Sequence, residues 1–155
     1  MHMAENKAPT DFLPAERADV ETLRRQRRAV LGAPKLIENM DAVHDIVVVL
    51  NRERQLVHAN KAAVAYMRAH DGSPVMGARW GEALHCEHFA GGCGTTRFCR
   101  TCGAASVVWR SRFGRDAAGE CRIAQKDGDT LDFRVSAAKI AVGPDELTVL
   151  TAVPQ

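Results

Sequence analysis

Four cysteines crowd into seventeen residues: Cys86, Cys93, Cys99 and Cys102, spaced C-x6-C-x5-C-x2-C, with Cys121 standing apart. Buried free cysteines that only fill a core usually sit in apolar runs. Here the intervening segment is polar and glycine-rich, so the four are expected to serve a common purpose. In a reducing cytoplasm that purpose is metal binding or redox chemistry, not a disulfide framework. Four thiolates complete a tetrahedral shell for one Zn²⁺, or bind a [4Fe–4S] or [2Fe–2S] cluster. The x2 pair closes on one centre without a long loop. Gly94 and Gly103 follow Cys93 and Cys102, and a residue without Cβ lets the backbone turn around a metal and aim N–H groups at sulfur. Cys86, Cys93, Cys99 and Cys102 are therefore the expected ligands of one centre. His85, His88 and Cys121 are the alternative ligands, the histidines because they flank Cys86. A c-type haem is disfavoured because Gly103, not histidine, follows the C-x-x-C pair.

The rest of the chain sets the context. Its 155 residues suffice for one domain with a buried core. The net charge of +2 gives no electrostatic footprint for nucleic acid. No apolar run approaches the ~20 residues that span a bilayer, and no secretory leader is visible, so a cytoplasmic location is expected. No nucleophile–base constellation, Walker loop, dinucleotide fingerprint or paired-carboxylate pattern occurs, and the chain is expected not to be an enzyme.

Residues 1–14 lack a periodic pattern and read as a disordered or tag-derived end. A charged stretch free of Gly and Pro, Ala15 to Leu31, predicts a helix with a thin apolar stripe, and residues 15–33 are assigned to dimerisation or signalling. The basic run Arg24 to Arg28 reads as a solvated helix face. Pro34 suits the first turn of a second helix reaching Met40. The β-branched run from Asp45 to Leu50 predicts a strand buried on both faces. A turn over Asn51 to Gln55 leads to a return strand, Leu56 to Ala59. Asn60 then caps a helix from Lys61 to about Ala69. Ala104 to Phe113 predicts a helix that places Cys99 and Cys102 at its N-terminus, where N–H groups favour thiolates. Glu120 to Lys126, Thr130 to Val142 and Glu146 to Val153 predict a three-stranded meander. Leu131, Phe133 and Val135 alternate with polar residues in its middle strand. Cys121 is in phase with Ile123 and is expected to share its face.

Leu36-Ile37-Glu38-Asn39-Met40, then Asp45-Ile46-Val47-Val48-Val49, a turn, and Leu56-Val57-His58-Ala59-Asn60 resemble the opening of the PAS family. The resemblance covers Leu36 to Val153. It implies an α+β fold: a PAS-like five-stranded antiparallel sheet with short helices on one face, here over residues 34–155, plus the N-terminal helical extension. It also implies a ligand cavity lined by the helix after the cysteines, where other PAS domains hold haem or flavin. The uneven x6 and x5 gaps lack the paired knuckles of zinc ribbons. They look like those of cysteine-bearing PAS sensors with an iron–sulfur cluster. The expected function is a sensory, signal-transducing domain responsive to redox state, oxygen or nitric oxide. It would form a homodimer through the N-terminal helix and act on a downstream signalling domain or partner. A structural zinc site on the same four cysteines, in an interaction module, is the alternative, and a cavity for a small organic ligand is a further one.

Overall fold

A computed structural model describes residues 10, 12–88, 92–114, 117–126 and 128–155. The tag-derived reading of the first residues therefore lies largely outside the described residues, as do Gly91 and Asp127. Chain order is α1 (Val20–Leu31), α2 (Pro34–Ala42), β1 (Ile46–Leu50), β2 (Leu56–Ala59), α3 (Lys61–Ala69), α4 (Trp80–Ala83), a 3-10 turn (Arg97–Thr101), α5 (Gly103–Ser111), β3 (Ala117–Ala124), β4 (Thr130–Val142) and β5 (Asp145–Pro154). The five strands form one antiparallel sheet in the order β2-β1-β5-β4-β3. This is the expected α+β, PAS-like architecture. No helix among the described residues is long and apolar enough to cross a membrane.

Both faces of the sheet are covered, which explains why all five residues of β1 are buried. Ile46, Val48 and Leu50 point to the inner core with Met67, Trp80, Val107, Phe133 and Leu150. Val47 and Val49 point to the other face, where Val30 of α1, Met40 of α2 and Leu147 meet them. The N-terminal helices thus pack on the sheet face opposite α3, α4 and α5. Burying side chains of the size of Val30 and Met40 is worth ~1.5–3 kcal/mol each.

Asn60 ties the two layers together. Its Oδ1 accepts from Ala63 N at 2.8 Å, capping α3, and from Val47 N at 3.0 Å. Its Nδ2 donates to Met40 O at 2.8 Å and Asp45 O at 3.0 Å. One buried amide therefore fixes the start of α3 and β1 and the end of α2.

The N-terminal region departs from expectation. The first helix begins at Val20, not Ala15, because the side chain of Asp19 caps it by accepting from Thr22 N at 2.8 Å. The residues before it form an extended strap across the domain. Leu13 is 2% exposed and its N–H donates to Gly94 O at 3.0 Å. That part of the expected disordered end is held against the cysteine segment.

Candidate functional site: a cysteine-lined cavity

α4, the 3-10 turn, the N-terminus of α5 and the edge strand β3 line a half-open cavity of about 770 Å³. All five cysteines line it, together with Trp80, His88, Phe98, Phe133 and the backbone around Gly81. The four cysteines expected to act together do share one cavity wall, and Cys121 joins them from the same strand face as Ile123. Of the two alternative histidines, His88 lines the cavity and stacks on Phe98 with ring centroids 4.3 Å apart. His85 is exposed at φ 57° and does not line it. Among the described residues, no group of three or more His, Cys, Asp or Glu side chains is disposed to hold a single metal ion.

Three of the expected ligands, Cys93, Cys99 and Cys102, have a hydrogen-bond partner at sulfur. Cys86 sits where the loop after α4 bridges Gln125 beyond β3. Cys93 Sγ accepts from Gly81 N at 3.3 Å. A Cβ on Gly81 would stand 2.9 Å from that sulfur and 3.3 Å from Cys86 Cβ, so only glycine leaves room for the sulfurs here. Cys99 is buried in the 3-10 turn with Thr96 Oγ1 at 3.2 Å from its sulfur. Cys102 is the N-cap residue of α5, its side chain makes no cap hydrogen bond, and its sulfur lies 3.9 Å from that of Cys121. Its neighbour Gly103 packs so closely on β3 that a Cβ there would lie 1.8 Å from Glu120 O.

These contacts set the thiol electrostatics. Desolvation pushes Cys93 up to about 12 against the pull of Gly81 N–H, and the charges of Cys102, Cys99 and Cys86 push the same way. Burial likewise raises Cys86, again with Cys102 and Cys99 adding to the rise. The hydrogen bond with Cys121 draws Cys102 down, against desolvation. Cys121 is raised by that same contact and by burial. Without a cation, neighbouring thiolates of one cavity oppose one another's ionisation. The buried indole N–H of Trp80, also on the cavity wall, makes no hydrogen bond among the described residues.

Behind the cavity lies an arginine clamp that sequence reasoning missed. Cys93 N donates to Glu82 Oε2 at 3.1 Å, and Arg79 N to Glu82 Oε1 at 3.0 Å. Arg17 pairs with the same carboxylate. The Cys93 carbonyl accepts from Arg54 at 3.2 Å and Arg79 at 3.3 Å. Those two guanidiniums also hold the strap: Arg54 donates to Pro14 O at 2.8 Å, and Arg79 to Ala15 O and Glu16 O at 3.2 and 2.7 Å. Desolvation lowers both arginines, Arg79 to about 10, with neighbouring arginine charges adding to the effect. Gly94 leaves room for the clamp: it lies at φ 90°, and a Cβ on it would meet the Arg54 guanidinium at 3.0 Å. No local spacing announces such contacts, because the carbonyls they serve are far away in the chain.

No protein-family model matches this chain, and no curated protein does. Solved structures match it at the level of fold. The PAS domain of an HTR-like protein from Haloarcula marismortui superposes with a TM-score of 0.52 at 14% identity, over 85% of this chain and 98% of that one. An RNA-binding Light-Oxygen-Voltage receptor gives 0.54 at 14% identity, over 81% of this chain and 33% of that one. The LOV protein of Rhodobacter sphaeroides gives 0.50 at 12% identity, over 88% and 68%. With its five-stranded antiparallel sheet and helices on the inner face, the chain has the PAS fold, with five cysteines lining its cavity.

Proposed function

We propose that this chain is a sensory domain whose cavity holds an iron–sulfur cluster on Cys86, Cys93, Cys99 and Cys102 and reports redox state, oxygen or nitric oxide. The observation that carries this reading is the lining: four cysteines around one cavity, with Gly81 N–H on the Cys93 sulfur and the Thr96 hydroxyl against that of Cys99. Such contacts stabilise thiolate charge, and a metal centre supplies the positive charge that relieves mutual repulsion. A cluster's sulfides would also give the Trp80 N–H an acceptor. When bound, the cluster supplies an electron-transfer couple and a reactive target for small oxidants.

The chain's own residues give that chemistry a route outward. Cys93 is joined through its carbonyl to Arg54 and Arg79, and these hold the strap that leads into α1. A change in ligation at Cys93 would loosen or tighten the strap. α1 would pass the change to a second copy of the chain or to a downstream signalling partner.

Anaerobic purification followed by iron, acid-labile sulfide and zinc analysis tests the reading. A brown protein with iron and sulfide in comparable amounts is expected. A colourless protein with one zinc per chain would establish the structural-zinc alternative instead.

A further inference from the structure

Cys121 falls outside the four-cysteine spacing, yet its sulfur lies 3.9 Å from that of Cys102. The backbones on either side are already in contact. Gly103, next to Cys102, lies so close to Glu120, next to Cys121, that any Cβ would collide with the Glu120 carbonyl. Gly119 Cβ, were it present, would touch Gly103 Cα at 3.8 Å. The start of α5 and the middle of β3 are thus fixed against each other. Closing 3.9 Å to the ~2.05 Å of an S–S bond needs side-chain rotation and little else.

From this geometry we infer that Cys102 and Cys121 form a redox-active pair, which closes to a disulfide when the cavity holds no metal and so withdraws Cys102 from the ligand set. The inference rests on the proposed function for Cys102 being a ligand; the pairing itself rests on geometry alone. The oxidant is hydrogen peroxide. Cys102, half-buried where Cys121 is 1% exposed, attacks the O–O bond as thiolate, gaining one oxygen as sulfenic acid and releasing water. The Cys121 thiol then displaces the sulfenic hydroxyl as a second water. Two thiols lose two electrons and two protons in all, and one peroxide becomes two waters. A thiol reductant reverses the closure and returns Cys102 to the cavity.

Tryptic fragments separate the relevant sulfurs: residues 98–100 carry Cys99, 101–110 carry Cys102 and 116–122 carry Cys121. The metal-stripped full chain is treated with hydrogen peroxide, alkylated and digested, and a parallel sample is reconstituted with iron and sulfide. Fragment 101–110 linked to 116–122 is expected, with two of the five thiols lost. Cluster loading should fall severalfold and return after dithiothreitol. Cys121→Ser, which has no resolving thiol, should give no linked fragment and instead hold Cys102 as a sulfenic acid that dimedone labels in fragment 101–110. Cys102 linked to Cys99, or no 101–110/116–122 link in the wild type, would overturn the inference. A linked 101–110/116–122 fragment with undiminished loading would leave the pair standing and remove Cys102 from the proposed ligands.

Discussion

Replacing Arg79 with methionine keeps most of the side-chain volume and removes the charge and every hydrogen bond of the guanidinium. Arg79 is 1% exposed and donates to four carbonyls, on Glu53, Cys93, Ala15 and Glu16. Hydrogen bonds to a charged group contribute ~1.5–3 kcal/mol each, giving a gross value of roughly 6–12 kcal/mol. Against this stands the burial of a guanidinium, which costs several kcal/mol even after relaxation. The strap also lies at the surface, so water reaches some of the abandoned carbonyls. The balance is a loss of about 3 kcal/mol for Arg79→Met. At ~2–4 °C per kcal/mol for a domain of this size, the melting temperature should fall by roughly 6–12 °C. Arg79→Lys keeps the charge but not the planar fork that spans the strap and the Cys93 loop, so it should fall between methionine and wild type. Thermal unfolding measures the stability, and hydrogen exchange at the Leu13 amide, bonded to Gly94 O, reports the strap. Arg79→Met melting with the wild type, or Leu13 keeping its full protection, would refute the clamp.

Glu82 gives the site a pH dependence. Burial raises its carboxyl, but hydrogen bonds from Arg17 and from the N–H groups of Arg79 and Cys93 outweigh this and hold it below the ordinary 4.5. The stability it contributes is therefore present above pH 4.5 and lost as pH falls through the lower folded value. In pH-dependent unfolding, the gap between wild type and Glu82→Gln should be constant near neutrality and shrink below that point. Gly103→Ala should lift α5 from β3 and cost ~3 kcal/mol in urea unfolding. Gly114→Ala, with open space around its Cβ, should lose only the ~1–2 kcal/mol of left-handed strain. Val20 and Leu31 of α1 are 61% and 50% exposed. If this edge pairs two copies, Val20→Glu with Leu31→Glu should halve the mass in sedimentation; an unchanged mass would make α1 a cap on its own sheet.

Most of the sheet was legible in the sequence because its signals are local. The run Ile46 to Leu50 has no polar alternation, as a strand covered on both faces should not. β4 spans Thr130–Val142 and alternates over Thr130 to Ala138, and Asn60 caps α3 at the expected residue. α4 and the 3-10 turn, at four and five residues, are too short to show a period. The strap was invisible for a different reason. Leu13 and Pro14 carry no pattern of their own; their order comes from Gly94 and from Arg54, a residue forty positions away. The N-terminal helix presents a thin stripe that suits a dimer as well as a cap, and its own sheet takes up Val30 and Gln26. The cysteines were found by spacing. Cys121 was placed on its face by strand alternation, but its 3.9 Å approach to Cys102 depends on how α5 packs on β3, which no spacing encodes.

The claim that four particular cysteines share one centre is tested most directly by metal content across single serine variants of all five, purified without oxygen. Cys86→Ser, Cys93→Ser, Cys99→Ser and Cys102→Ser should each lose most of the iron and sulfide, because every one removes a ligand from the same cavity. Cys121→Ser should keep nearly all of it. Equal loss in Cys121→Ser, or full retention in any of the other four, would contradict the assignment.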